Sequence, residues 1–168
     1  MRKALIAVLI TGLLLLVVAP AASAITLTKP EKQLLTLINK ARAKRGIPAL
    51  KVNAKLQRAA RAHSSQMIAK DYFSHNSANG EAFSKRLIRF GYTQTGCTSW
   101  KAGENIAYGA GLLGTPQAIM KAWMKSKGHK ALILNRGLKE CGIGRAAGEF
   151  KTVEGTYMFT LDCGKRCF

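Results

Sequence analysis

The order of helix and strand signals along the chain is the feature that most constrains its fold. Capping residues and apolar stripes of helical period recur from Thr28 to about Gly128, whereas alternating segments rich in β-favouring residues come only near the end. Chains that place their helices first and their strands last pack those helices on an antiparallel sheet. The order therefore predicts an α+β domain with a small antiparallel sheet flanked by helices.

The first two helices have clear start signals. Residues Thr28 to Glu31 combine a capping threonine, a first-turn proline and a glutamate three residues after the cap, which predicts a helix running to about Gly46. The helical period places Arg42 on the water-facing side of this helix. Asn53 is the predicted cap of a second helix, which fades near Asp71.

Two later segments also have helical signals. Residues 83–90 predict a short helix closed by Gly91, and Thr115 followed by proline opens another that Gly128 should stop. A further short helix is expected from 130 to 134.

The strand signals follow. Segments 141–145 and 156–161 are predicted strands, joined by a polar hairpin that contains Gly148 and Gly155. From 100 to 108 the periodicity is weak, and no element is predicted there.

The N-terminus has the pattern of a secretory signal. Arg2 and Lys3 precede a mainly apolar run, and Ala22-Ser23-Ala24 supplies small residues where a signal peptidase cleaves. The run is short for a membrane span of about 20 residues. We predict cleavage after Ala24, which leaves residues 25–168 as a single secreted or periplasmic domain without a transmembrane anchor.

Four cysteines lie in the predicted mature domain, at Cys97, Cys141, Cys163 and Cys167. An even number in an exported protein predicts disulfides, and three pairings are open. If the segments of Cys141 and Cys163 are neighbouring strands, these two residues should pair, which leaves Cys97 for Cys167. The chain has no CxxC pair, so a structural zinc site is disfavoured.

The charge balance limits the class of partner. After removal of Arg2 and Lys3, 25 of the 27 Lys and Arg residues face eight acids, a net charge near +17. Such a charge attracts polyanions, and export makes anionic envelope polymers or lipids the expected partners and nucleic acid an unlikely one. A solvated basic surface that only keeps the protein soluble is the alternative.

Imidazole chemistry can come only from His63, His75 and His129. His63 lies on the apolar stripe of the second predicted helix, which indicates a buried core histidine. His75 and His129 follow the ends of predicted helices, where side chains can point into a cleft. Glu104 lies between them in the sequence beside apolar residues, a position where a scarce acid is either paired locally or used.

Five short segments, in this order, resemble the CAP superfamily, also called SCP domains, in its bacterial branch. They are Phe73-Ser74-His75, Arg86-Leu87 through Gly91-Tyr92, Gly103-Glu104-Asn105-Ile106-Ala107-Tyr108-Gly109, Trp123-Met124-Lys125-Ser126-Lys127-Gly128-His129 and Cys141-Gly142-Ile143-Gly144. The resemblance covers nearly all of the predicted mature chain.

The resemblance implies an α-β-α sandwich whose cleft gathers two histidines and two acids, around a divalent metal in some members. The histidines match His75 and His129, and the first acid matches Glu104. The position of the second acid is Ser126 here, so the set of four is incomplete.

These residues are compatible with a metal site, with a hydrolase and with a binding module. Two imidazoles and a carboxylate at His75, His129 and Glu104 are a ligand set for Zn²⁺ or another divalent metal. A hydrolase would use this metal, or Ser126 as nucleophile with a histidine as base and Glu104 orienting it.

We favour an exported module that binds a ligand or partner at the cell envelope or outside the cell. The resemblance implies sterol, fatty-acid or surface-glycan binding, and hence a small apolar ligand. Lys125, Lys127 and Lys130 flank His129 and would attract anionic groups, unless they form only a solvated helix end.

Overall fold

The computed structural model describes residues 25–167 of the 168-residue chain. The predicted signal peptide, residues 1–24, lies outside the described residues. Within them the helices are α1 (Lys29–Ala43), α2 (Ala54–Ala69), α3 (Phe83–Arg89), α4 (Pro116–Lys125) and α5 (Lys127–Ile133). The strands are β1 (Lys51–Val52), β2 (Trp100–Ala110), β3 (Glu140–Phe150) and β4 (Val153–Arg166), and a 3-10 turn spans Gly111–Gly114.

One sheet forms the centre, in the order β1-β3-β4-β2. β4 pairs antiparallel with both neighbours, whereas the two-residue β1 pairs parallel with β3, so the sheet is mixed rather than purely antiparallel. β2 is an edge strand over its whole length.

Helices cover both faces of the sheet, which confirms the predicted α+β sandwich. On one face α1 and α4 pack Leu34, Ile38 and Trp123 against Ile143 and Leu161. The other face carries α2 and α3, through two further apolar clusters of buried residues. In the part of the chain that the structure describes, no helix has the length and apolarity that a membrane span requires.

Glycines in β3 allow α2 to lie directly on the sheet. A Cβ atom at Gly142 would overlap the backbone of Leu56 and Gln57, and one at Gly144 would overlap the backbone of Ala60. Gln57 completes the contact, because its side-chain oxygen accepts a hydrogen bond from the backbone nitrogen of Ile143 at 2.8 Å. The glycine pair in the 141–144 segment is therefore a packing device between helix and strand.

Helix caps were the most accurate predictions. Glu31 accepts a hydrogen bond from the backbone nitrogen of Thr28 at 2.8 Å, and Asn53 caps α2 through the backbone nitrogen of Lys55. The predicted stop at Gly128 was wrong, because Ser126 both ends α4 and caps α5, and Gly128 lies inside α5.

Other boundaries also differ from the prediction. β2 occupies the segment of weak periodicity. The β3–β4 turn is tighter than expected, at Lys151 and Thr152, both with positive φ, so Gly148 and Gly155 lie within the strands.

The water-facing assignment of Arg42 was wrong. Its side chain is fully buried and donates hydrogen bonds to four carbonyl oxygens, those of Pro48, Ile133, Asn135 and Leu138, at 2.8–3.0 Å. Two of these oxygens lie at the C-terminal end of α5. A buried guanidinium can thus replace water for backbone groups that the helix end leaves without partners.

One predicted disulfide is present and the other is not. Cys97 and Cys167 are bonded. Cys141 and Cys163 do lie directly opposite each other on neighbouring strands, as the prediction required, but both remain free, buried thiols. They point toward α1 and α4 and contribute to the apolar core as small hydrophobic side chains.

Candidate functional site

The candidate site wraps around the outer edge of β2 at Gly103, Glu104 and Asn105. Because neighbouring residues of a strand point to opposite faces, Glu104 faces the side of α3 and Asn105 faces the side of α5. The edge strand therefore collects groups from both helical layers.

His75 lies in the loop after α2, and buried contacts hold this loop in place. The Nε2 atom of His63 donates a hydrogen bond to the carbonyl oxygen of Ser74 at 2.9 Å. Nη1 of Arg86 donates to the carbonyl oxygen of His75 itself at 3.1 Å. His63 is buried as predicted, and burial lowers its pKa to about 4, so it fixes the loop as a neutral ring.

Glu104 joins the two cationic partners at the floor of the site. Its side chain is 1% exposed, and Oε1 accepts a hydrogen bond from Nδ1 of His75 at 2.8 Å. Oε2 is bound by Nη2 of Arg86. The hydrogen bond to Glu104 raises the pKa of His75, although partial burial opposes this effect. With Nδ1 engaged, Nε2 is the ring nitrogen left for a ligand, and the His75 side chain is 52% exposed.

A second acid stands behind Glu104. Asp162 is the register partner of Glu104 on β4, is fully buried, and does not line the cleft. Burial, together with the neighbouring Glu104 carboxylate, raises the pKa of Asp162 well above its usual value. Both effects favour the neutral form of Asp162 behind the cleft floor.

His129 enters from the opposite helical layer. The Oγ atom of Ser126 accepts a hydrogen bond from the backbone nitrogen of His129 at 3.5 Å and so caps α5. Nδ2 of Asn105 donates to the carbonyl oxygen of His129 at 3.0 Å, which ties α5 to the edge strand. Burial lowers the pKa of His129, and the charge of nearby His75 adds to this effect.

Between these groups lies an open cleft of about 650 Å³. Its lining residues are His75, Phe83, Gly103, Glu104, Asn105, Ser126, Gly128, His129, Ala131, Leu132 and Asn135. A Cβ atom at Gly103 would overlap the side chain of Leu132, so the glycine permits α5 to approach the strand. Convergent polar groups thus lie beside an apolar wall formed by Phe83 and Leu132, and ligand sites combine these two features.

Residues 35–163 match the sequence model of CAP, the cysteine-rich secretory protein family. This match covers most of the chain, beginning within α1 and ending within β4. The chain belongs to the CAP family.

Two proteins of Bacillus subtilis (strain 168) are similar to this CAP domain in sequence. YkwD is 38% identical over 115 residues, which are 68% of this chain and 41% of YkwD. The membrane protein YlbC is 34% identical over 118 residues, which are 70% of this chain and 32% of YlbC. The chain thus spans less than half the length of the curated relatives it matches.

Solved structures have the same fold. An outer surface protein of Borrelia burgdorferi superposes with a TM-score of 0.67 at 22% identity, covering 84% of this chain and 96% of that one. An extracellular SCP-domain protein of Bacillus anthracis gives a TM-score of 0.62 at 26% identity, covering 79% of this chain and 39% of that one.

The CAP cleft contains all four predicted candidates, His75, Glu104, Ser126 and His129. Their chemical roles stay predictions. Arg86, Asn105 and Asp162 were not predicted as site residues. Arg86 and Asn105 lie within the segments that resemble the family, so the sequence could have assigned them to the site. Asp162 can be assigned to it only from its strand pairing with Glu104.

Proposed function

We propose that this CAP domain is exported and binds a ligand from the cell envelope in the cleft around His75, Glu104 and His129. The observation that carries this proposal is the open cleft, which combines two imidazoles with an apolar wall from Phe83 and Leu132. Such a site suits an amphiphile with one acidic group, because a protonated His75 would pair with the acid and the wall would contact the apolar part.

Export rests on two supports. The sequence begins with the pattern of a secretory signal, and the similar SCP-domain protein of Bacillus anthracis is described as extracellular. Outside the cytoplasm, a chain with this excess of Lys and Arg meets the anionic polymers and lipids of the envelope first.

A hydrolase is the second candidate, and the hydrogen bond between His75 and Glu104 favours it, because a carboxylate that orients an imidazole is part of a catalytic triad. The position of Ser126 counts against a serine nucleophile. Its Oγ caps α5 by accepting from the backbone nitrogen of His129, and no hydrogen bond between Ser126 and an imidazole is found among the described residues. Full activity in the variant Ser126→Ala would exclude this residue as the nucleophile.

Zinc binding through three protein ligands does not fit these residues. Glu104 already uses one oxygen for His75 and the other for Arg86. Within residues 25–167 no group of three or more His, Cys, Asp and Glu side chains is arranged to hold an ion. Calorimetric zinc titration tests the predicted metal site at His75, Glu104 and His129 directly. Equal heats for wild type and His129→Ala would contradict it.

Nuclear magnetic resonance titration with palmitate, and separately with soluble peptidoglycan fragments, tests the cleft. We expect saturable shifts at His75 and His129, and at least tenfold weaker binding by Leu132→Ala, which truncates the apolar wall. Leu112→Ala is the matched control, because Leu112 is exposed and outside the cleft.

Two results would reject parts of this proposal. If Leu132→Ala, Leu112→Ala and wild type bind equally well, the cleft does not contribute to ligand recognition. Turnover of an ester, peptide or glycan substrate that a chelator abolishes would favour the metal-dependent hydrolase instead.

A further inference from the structure

A second concave surface lies beside the cleft, between the C-terminal end of α4 and the outer face of α5. It has a volume of about 460 Å³ and is lined by Met124, Lys125, Lys127, Lys130, Ala131 and Leu134. We call it the lysine groove. Ala131 lines both surfaces, so the groove and the cleft are adjacent.

The floor of the lysine groove is apolar and its rim is cationic. Met124 and Leu134 are half-buried and pack against the main core cluster, which makes the floor firm. Lys125, Lys127 and Lys130 are exposed. Lysine side chains can lie along an apolar surface with their carbon stems while the ammonium groups face an anion.

Among the described residues, no acidic side chain lines the lysine groove. All eight acids of the chain belong to described residues. The four that form ion pairs with arginine are Glu31, Glu81, Glu104 and Glu140. Asp162 is fully buried.

The remaining acids, Asp71, Glu149 and Glu154, lie around the β3–β4 turn, where Asp71 accepts a hydrogen bond from the backbone nitrogen of Lys151. That turn is at the end of the sheet where α4 begins. The ten residues of α4, about 15 Å of helix, separate it from the groove.

The lysine rim is therefore a local concentration of positive charge without internal compensation. Of the ion pairs found among residues 25–167, none involves Lys125, Lys127 or Lys130. Three uncompensated ammonium groups around one concavity attract a ligand with more than one negative charge.

We propose that the lysine groove binds a phosphodiester-linked polyol, a chain of glycerol phosphate units, as found in wall polymers. The phosphates would pair with the lysine rim, and the carbon backbone of the glycerol units would lie on Met124 and Leu134. This inference rests on the proposed function, because it assumes that the domain works at the envelope. A polymer held in the groove would keep the adjacent cleft close to the wall.

Calorimetric titration of the mature domain with soluble, deacylated poly(glycerol phosphate) tests the proposal. The groove variant combines Lys125→Gln, Lys127→Gln and Lys130→Gln. Its control combines Lys32→Gln and Lys40→Gln on α1 with Lys44→Gln directly after it, which removes the same charge from exposed positions outside the groove.

At 150 mM salt we expect the groove variant to bind at least tenfold more weakly than wild type, and the control to lose less than threefold. Equal losses in the two variants would overturn the proposal, because general charge attraction would then explain binding. Circular dichroism melting curves verify that both variants are folded.

Two further probes distinguish the source of the phosphate. Inorganic phosphate at equal phosphate concentration should not compete, because one ion cannot span three lysines. Vesicles of phosphatidylglycerol should respond equally to the groove and control variants. Full competition by inorganic phosphate, or a loss confined to vesicle binding by the groove variant, would overturn the polymer assignment.

The cleft variant Leu132→Ala separates this inference from the proposed function. If Leu132→Ala keeps polymer affinity while the groove variant loses it, the groove proposal holds whether or not palmitate or peptidoglycan fragments bind the cleft. If the groove variant keeps polymer affinity, the groove proposal is wrong, whereas the proposed ligand binding in the cleft is unaffected.

Discussion

Glu104 is the residue on which the cleft floor depends. Its carboxylate is almost fully buried and is stabilised by Arg86 on one side and His75 on the other. Arg86 also holds the His75 carbonyl oxygen and the Ser77 hydroxyl, so one guanidinium fixes both the charge and the loop. A buried carboxylate that loses such a partner carries its full desolvation cost.

Replacement of Arg86 therefore tests the charge balance of the floor. We expect Arg86→Met to reduce the free energy of unfolding by about 3–5 kcal/mol, as measured by urea denaturation, because Glu104 is left buried without its main cation. The double variant Arg86→Met/Glu104→Gln should recover part of this loss. A double variant as unstable as the sum of its single variants would contradict the coupling.

The pKa values of the two cleft histidines should be shifted in opposite directions. The hydrogen bond to Glu104 raises the pKa of His75, whereas burial lowers that of His129, each relative to an ordinary value near 6.5. Just above pH 6.5, His75 should therefore carry more charge than a free histidine and His129 less. Proton NMR of the ring Cε1–H signals measures both values, and Glu104→Gln should return His75 toward the ordinary value.

The raised pKa of His75 also makes the free energy of unfolding depend on pH. Its protonated form is favoured in the folded state, so this contribution is complete below pH 6.5 and is lost as pH rises through the folded pKa. A His75 signal that titrates below 6.5 in the wild-type protein would contradict the assigned hydrogen bond.

At the scale of elements, the sequence predicted helix starts better than strands. Asn53 and Thr28 act through local side-chain contacts, which a few residues of sequence encode. β2 was missed because its edge position and its glycines remove the regular alternation of apolar residues, and its stability comes from pairing with β4.

Long-range contacts explain the remaining differences. The burial of Arg42 depends on carbonyl groups more than 90 residues away, at the end of α5, and no local period reveals them. The cleft candidates were predictable because the family segments carry them. Asp162 was not, because it belongs to the site only through its pairing with the edge strand.

The contact between α2 and β3 provides a test at this scale. We expect Gly144→Ala to lower the free energy of unfolding by about 1–3 kcal/mol, since its Cβ would overlap the backbone of Ala60 and the helix would have to shift. Gly128→Ala is the matched control. Gly128 lies in α5 with open space around its Cβ position, so alanine there should be neutral or stabilising by up to about 1 kcal/mol. Similar losses in both variants would argue against close packing as the cause.

At the scale of the whole molecule, the exposed acids and the lysine groove lie at opposite ends of α4, and one disulfide lies at one end of the β2–β4 pair. The exposed acids gather at the β3–β4 turn, and the lysine groove lies beyond the other end of α4. The Cys97–Cys167 disulfide joins the segment before β2 to the end of β4. The C-terminal end of β4 is thereby linked covalently to the segment that leads into β2, the edge strand that carries the cleft floor.

The four cysteines give the last prediction, which concerns the whole fold because two of them are accessible only after it opens. Burial raises the pKa of Cys141 to about 12 and raises that of Cys163 well above its ordinary value, so neither should form a reactive thiolate in the native state. We expect the mature protein to show no reaction with a thiol reagent at pH 8, and two reactive thiols per chain in 6 M guanidinium chloride. Mass spectrometry after alkylation should place both labels on Cys141 and Cys163, while Cys97 and Cys167 are labelled only after reduction. Absence of label in denaturant would mean that Cys141 and Cys163 are also bonded, as the sequence alone predicted, and the apolar role of these thiols in the core would have to be withdrawn.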